Sequence, residues 1–154
     1  QWRDTYRRDD TGWISFGAFL IIVAVIYLTT PNILHEINAF IRDFQLVEVF
    51  ENVWWFVPST SHPVLYAAAE RFCYIFGVVQ IIILGLRFAK GSSIHGKAET
   101  FSSVVFWLGA GYVLSLLSQG ALLWLPFIAA LIILIGISIV VRALVLILAP
   151  RRPP

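Results

Sequence analysis

Residues 100–141 read TFSSVVFWLGAGYVLSLLSQGALLWLPFIAALIILIGISIVV, forty-two positions from Thr100 to Val141 without one Asp, Glu, Lys or Arg. As a helix rising about 1.5 Å per residue, the stretch is about 63 Å long, twice the roughly 30 Å hydrocarbon core of a bilayer. The polar cluster Ser118-Gln119-Gly120 divides it into two membrane spans joined by a tight turn. Inside lipid every backbone N–H and C=O must be paired within the segment, which only helices and closed barrels achieve, and the alternation of a barrel strand is absent here. The stretch predicts an all-α integral membrane protein.

Composition points the same way. Hydrophobic residues make up 59% of the 154 residues and charged residues 13%, against about 25% in soluble domains. Mean hydropathy is +0.84. A net charge of +2, concentrated at helix ends, gives no footprint for nucleic acid. Cys73 is the only cysteine, so no internal disulfide can form. There is no methionine even at position 1, and the chain is expected to begin inside a longer or processed product.

Outward from the central stretch, the remaining elements follow in order. Gln1 to Asp10 is a short polar leader, and Gly12 to Thr30 is nearly all apolar and stops at Pro31. Its length exceeds a signal-peptide core and no small-residue cleavage site precedes Pro31, so it is expected to be a retained span. Between Pro31 and Pro58, Ile33, Ile37, Phe40, Ile41, Phe44 and Val47 recur at three- and four-residue steps opposite Glu36, Arg42, Asp43 and Glu48. This predicts one amphipathic helix over about 32–56, lying at the outer interface, with Asp43 on its tolerant polar side. Pro63 opens the next span, and a basic loop Lys90–Lys97 follows it. Four spans result, near 12–30, 64–86, 100–118 and 122–148, in a single transmembrane domain covering 1–154. Pro126 either opens or kinks the last of them.

Lys and Arg beside the spans set the orientation. With the N-terminus inside, nine of them (Arg3, Arg7, Arg8, Arg87, Lys90, Lys97, Arg142, Arg151, Arg152) face the cytoplasm, and two, Arg42 and Arg71, remain outside. Both termini are expected in the cytoplasm of a cell whose plasma membrane holds the protein. Trp13 falls near the inner boundary and Trp54, Trp55 and Trp124 near the outer one, as an aromatic belt requires.

Chemistry, if any, should lie on the second span. At about 100° per residue, Tyr66, Glu70, Cys73, Tyr74, Gly77, Gln80 and Arg87 share one sector, and Glu70, Tyr74, Gln80 and Arg87 form a polar stripe. An ionisable group at membrane depth costs roughly 2.5–3.5 kcal/mol on insertion scales, so Glu70 is expected to face protein or water; the alternative, given its position two turns from the start of the span, is a place just under the outer headgroups where it pairs with adjacent-turn polar groups or Arg42 and only fixes helix packing. The third span repeats Ser103, Trp107, Gly111, Ser115, Ser118 and Gln119 at three- and four-residue steps. Gly77, Gly111, Ser115 and, on the fourth span, Gly136 with Ala129 or Ala130 read as helix-packing positions. His35, His62 and His95 lack the spacing of a zinc site, and no Ser-His-Asp, Cys-His or paired-carboxylate arrangement is visible. No metal, cofactor or catalytic role is expected. Two function classes fit. One is a structural or accessory subunit that packs with other membrane subunits or with its own copies; the alternative is an oligomeric ion or small-solute channel or transporter lined by the stripe of span two.

Overall fold

The computed structural model describes residues 11–91 and 94–148. In chain order these form α1 (Thr11–Thr29), α2 (Ile33–Arg42), β1 (Phe44–Phe50), β2 (Val53–Pro58), α3 (Pro63–Ala89), α4 (Ile94–Ser118) and α5 (Trp124–Leu148). The fold is mostly helical, with one two-stranded sheet. Three helices, α3, α4 and α5, are long and apolar enough to cross a membrane, and there are up to four spans if the bent pair α1 and α2 counts as one.

α1 stops where the sequence forces it to. The Thr29 hydroxyl turns back onto Val25 O at 2.8 Å, Pro31 cannot donate to the helix ladder, and Asn32 takes the left-handed conformation at φ 54°. The axis then turns by 94° into α2. α2 is amphipathic as its Ile33, Ile37, Phe40, Ile41 spacing predicts, but it ends at Arg42, where the backbone N–H of Asp43 donates to Ala39 O at 3.0 Å.

The single helix expected over 32–56 is therefore corrected. Its second half is an antiparallel hairpin, with Phe44 opposite Pro58, Leu46 opposite Phe56 and Val47 opposite Trp55. The physical reason lies in side-chain type. From Phe44 to Val57 the text is dominated by Val, Phe and Trp, whose branched or bulky groups sit poorly in a helix and well on a pleat. Glu51-Asn52 supplies the two-residue turn, Asn52 accepts φ 64°, and its N–H is taken by the Glu48 carboxylate at 2.9 Å. Hairpin residues Phe50, Trp54 and Phe56 are exposed.

α3 begins with Pro63 in its first turn. α4 starts six residues before the expected 100, so His95, Gly96 and Lys97, expected in a loop, lie in its first turn, and Lys97 Nζ sits 4.7 Å over the Phe88 ring. The α4–α5 turn closes with Gly120 at φ 71° and with the N–H groups of Ala121 and Leu122 on Leu116 O at 2.9 and 3.1 Å. Pro126 lies in the first turn of α5, where its missing N–H leaves no gap, so it opens the helix and does not kink it.

α3 and α4 pack most extensively; α5 rests on the far flank of α4, and α1 rests on α3. The helices alternate in direction, so one end of the bundle carries α2 and the hairpin while the other carries Arg87, Lys90 and Lys97. At the hairpin end Tyr66, Leu117 and Phe127 form a buried cluster, closed over by Phe40, Leu122 and Trp124. Between α1, α3 and α4, Phe19, Phe72, Phe76 and Trp107 meet edge to face or stacked.

Candidate functional site

α3 positions the polar stripe, and the structure places its members one by one. Ser118 Oγ shares its one proton between Glu70 Oε2 at 3.2 Å and Ser115 O, one turn back on its own helix, at 2.9 Å. About one turn further along, the Tyr74 ring lies against Gly111, where a Cβ would come within 2.9 Å of Tyr74 Cε1. Gly77 faces Leu108, with 2.6 Å between a built Cβ and Leu108 Cδ2. The partner numbers fall along α4 as those on α3 rise, as an antiparallel seam demands. Gln80 turns to the other neighbour and donates through Nε2 to Ser15 Oγ of α1 at 3.2 Å. Arg87 Nη1 reaches the turn into α4 and donates to Gly96 O at 2.6 Å. The stripe is thus divided among three helices. Cys73, buried beside it, is a free thiol.

The packing positions read from sequence separate into two kinds. Gly77 and Gly111 allow close approach on the α3–α4 seam, while Ser115 accepts from Gln119 Nε2 at 2.8 Å and offers its carbonyl to Ser118. Gly136 faces open space, with nothing within 4 Å of an added Cβ, and so makes no helix contact within this chain. The glycine that does bring α4 against α5 is Gly109, which meets the Leu134 side chain. It was missed because the three- and four-residue steps were counted from Ser103, which puts Gly111 in phase and Gly109 out of it. Of the tryptophans, Trp13, Trp54 and Trp55 are exposed, and Trp124 is half-buried, donating through Nε1 to Phe56 O at 3.2 Å and packing on Phe40, Phe44 and Phe127.

A second polar cluster, unread in the sequence, closes the base of the hairpin. Asp43, directly after α2, receives the Ser59 hydroxyl on Oδ1, and on Oδ2 the Thr60 N–H at 2.7 Å, the Thr60 hydroxyl at 2.9 Å and His62 Nε2 at 3.1 Å. The Ser59 hydroxyl, then the Thr60 amide, hold the carboxyl far below the usual carboxylate range. A carboxylate only accepts, so His62 carries its proton on Nε2. Its ring is 8% exposed, walled edge-on by Phe40 and Tyr66. The expectation that Asp43 tolerates change on a polar helix face is overturned, since Asp43 ties the end of α2 to the start of α3. The cluster contains Asp, His and hydroxyls without being a catalytic relay. One ring nitrogen, Nε2, faces both the carboxylate and, at 3.4 Å, the Thr60 hydroxyl, whereas a relay needs the two nitrogens to bridge acid and nucleophile.

Among the described residues no group of three or more His, Cys, Asp or Glu side chains could hold a metal ion. Comparison with known proteins finds no matching family, no matching curated protein and no matching solved structure.

Proposed function

We propose that the protein is an integral membrane protein that serves as a structural or accessory subunit of a membrane assembly. In this reading α1 crosses the bilayer along with α3, α4 and α5. Its 19 residues span about 28 Å, close to the hydrocarbon thickness, and the 94° elbow lays α2 flat at the surface it reaches. The positive charges then set both termini in the cytoplasm of a cell whose plasma membrane is the host, and put the hairpin outside. The observation that carries the accessory role is the fate of the polar stripe. Glu70, Tyr74 and Gln80 are each engaged with a neighbouring helix of the same chain, and a conduction path would need those groups turned toward a common lumen. Much of what the chain leaves uncovered is apolar: Phe50, Trp54 and Phe56 of the hairpin, and most of α5, on which only Phe127 and Ser138 are buried. Those surfaces are what it offers to lipid, to its own copies or to other membrane subunits.

The test pairs a liposome flux assay with the oligomeric state in detergent, on the wild type and on Glu70→Gln. The accessory reading expects no flux from either protein, and lower thermal stability or disturbed assembly in the variant, because a charge-assisted bond from Ser118 becomes a neutral one. Flux by a wild-type ring, abolished by Glu70→Gln with folding intact, would establish the channel instead.

A further inference from the structure

At the end of the bundle away from the hairpin, α1 and α4 flank a cleft of about 420 Å³ whose floor is α3. Its floor residues Phe76, Gln80, Ile83 and Arg87 lie three or four apart on one helix face. The cleft is graded along its length. Toward the middle of the bundle Phe16, Phe19 and Phe76 make most of its wall, interrupted by Ser103 and by the bond between Gln80 and Ser15. Toward the helix ends it carries Arg87, Glu99 and Thr100.

Two charges of opposite sign therefore border one cavity, yet they do not pair. Among the described residues, the one ion pair within 4 Å is His62 with Asp43, so neither Arg87 nor Glu99 has a charged partner. Arg87 is held in place by its Nη1 bond to Gly96 O, while its buried Nε has no hydrogen-bond partner. The Thr100 hydroxyl is already engaged with Gly96 O at 2.9 Å, which leaves the guanidinium as the donor with unused capacity. A fixed, unneutralised guanidinium in a cleft suits a phosphate, since its planar fork matches two phosphate oxygens. An unpaired carboxylate at the same mouth suits an ammonium group.

The geometry points to a zwitterionic, primary-amine phospholipid as the occupant, with its phosphate on Arg87, its ammonium on Glu99 and the start of an acyl chain along Phe16, Phe19 and Phe76. Arg87 lies in the last turn of α3, the depth at which a headgroup phosphate meets a helix end, and the cleft continues from there into the apolar zone as a lipid does. A soluble phosphate would satisfy Arg87 alone and leave both Glu99 and the aromatic wall unused. The inference rests on the membrane placement of the chain but not on its accessory role.

Delipidated protein in detergent is titrated with short-chain phosphatidylethanolamine, phosphatidylcholine and phosphatidylglycerol and with inorganic phosphate, reading bound lipid by native mass spectrometry and thermal midpoint in parallel. Phosphatidylethanolamine is expected to bind at one site and to raise the midpoint, roughly tenfold tighter than the other two lipids, the preference one charge-assisted contact supplies. Arg87→Gln should weaken all three lipids. Glu99→Gln alters an exposed side chain that makes no hydrogen bond among the described residues, so folding is kept, and it should erase only the preference for the amine. Equal affinity for the three lipids in the wild type, an undiminished preference in Glu99→Gln, or inorganic phosphate raising the midpoint as much as lipid would each overturn the proposal.

Discussion

Placing a methyl group at Gly77 and Gly111 of the α3–α4 seam, and at Gly136 of α5 for comparison, tests the packing directly, because the three glycines face three different surroundings. At Gly111 a Cβ would lie 2.9, 3.0 and 3.2 Å from three atoms of the Tyr74 ring, a flat rigid body that cannot yield one atom at a time. At Gly77 the nearest atom, 2.6 Å away, is the end of the Leu108 side chain, which can change rotamer, while the Leu108 backbone stands at 3.6 Å. At Gly136 nothing lies within 4 Å. Gly→Ala in a helix interior contributes about 1 kcal/mol of stability through backbone entropy, and overpacking opposes it by about 1–3 kcal/mol. The expected order is then Gly136→Ala more stable than wild type by up to ~1 kcal/mol, Gly77→Ala near neutral, and Gly111→Ala destabilised by ~1–2 kcal/mol. Reversible unfolding in mixed micelles with rising SDS measures these differences. Tyr74→Ala combined with Gly111→Ala should cost less than the two changes summed, since the vacated ring leaves room for the methyl. Gly111→Ala unfolding at or above the midpoint of Gly136→Ala would refute the close approach of α3 and α4 at Tyr74.

Three further outcomes are expected. Asp43 has a folded-state pKa below its ordinary value of 3.8, so the stability it contributes is fully present above that value and is lost as pH falls below it; protease cleavage of the hairpin should rise from about pH 4 downward, and Asp43→Asn should cleave readily at neutral pH with little further change on acidification. The same acid response in Asp43→Asn and wild type would remove Asp43 from the latch. Asn52→Gly should leave the hairpin intact while Asn52→Ile costs about 1–2 kcal/mol at its left-handed φ, read from the same protease assay, and equal behaviour would contradict the turn. In a Cys73→Ser background, a cysteine at Thr60 should react with an impermeant thiol reagent on intact cells and one at Lys90 only after permeabilisation; reaction at Lys90 from outside would reverse the orientation.

The long helices were legible because hydropathy over twenty or more residues is a strong and local signal, and α3, α4 and α5 differ from expectation mainly at their ends. α4 begins early because Ile94-His-Gly-Lys-Ala-Glu is compatible with a helix that runs past its apolar zone, which hydropathy does not register. The hairpin was misread for a different reason. Ile33, Ile37 and Phe40 are truly helical, and extending their period to Phe44 and Val47 ignored the β-branched and aromatic run that follows. The Asp43 latch was hidden because its partners Ser59, Thr60 and His62 are 16 to 19 residues away and meet it only if the intervening chain folds back on itself. At the stripe, the wheel grouped Glu70, Tyr74 and Gln80 on one face, but a wheel shows direction without showing which neighbour stands there.

The bond between Gln80 and Ser15 joins residues 65 positions apart, and this separation has a cost in time. Chain synthesis at about 5–20 residues per second puts roughly 3–13 seconds between the appearance of Ser15 and that of Gln80. In the proposed membrane placement α1, inserting on its own, then waits for that interval in the bilayer without the helix it will pack against. Its described sequence carries no charge, and a single serine can satisfy itself on its own backbone, so the wait is tolerable. Gln80, whose amide is far harder to leave unpartnered in lipid, arrives second and finds its acceptor already in the membrane. Exchanging the two residues would keep the finished bond and place the exposed amide in the helix that must wait.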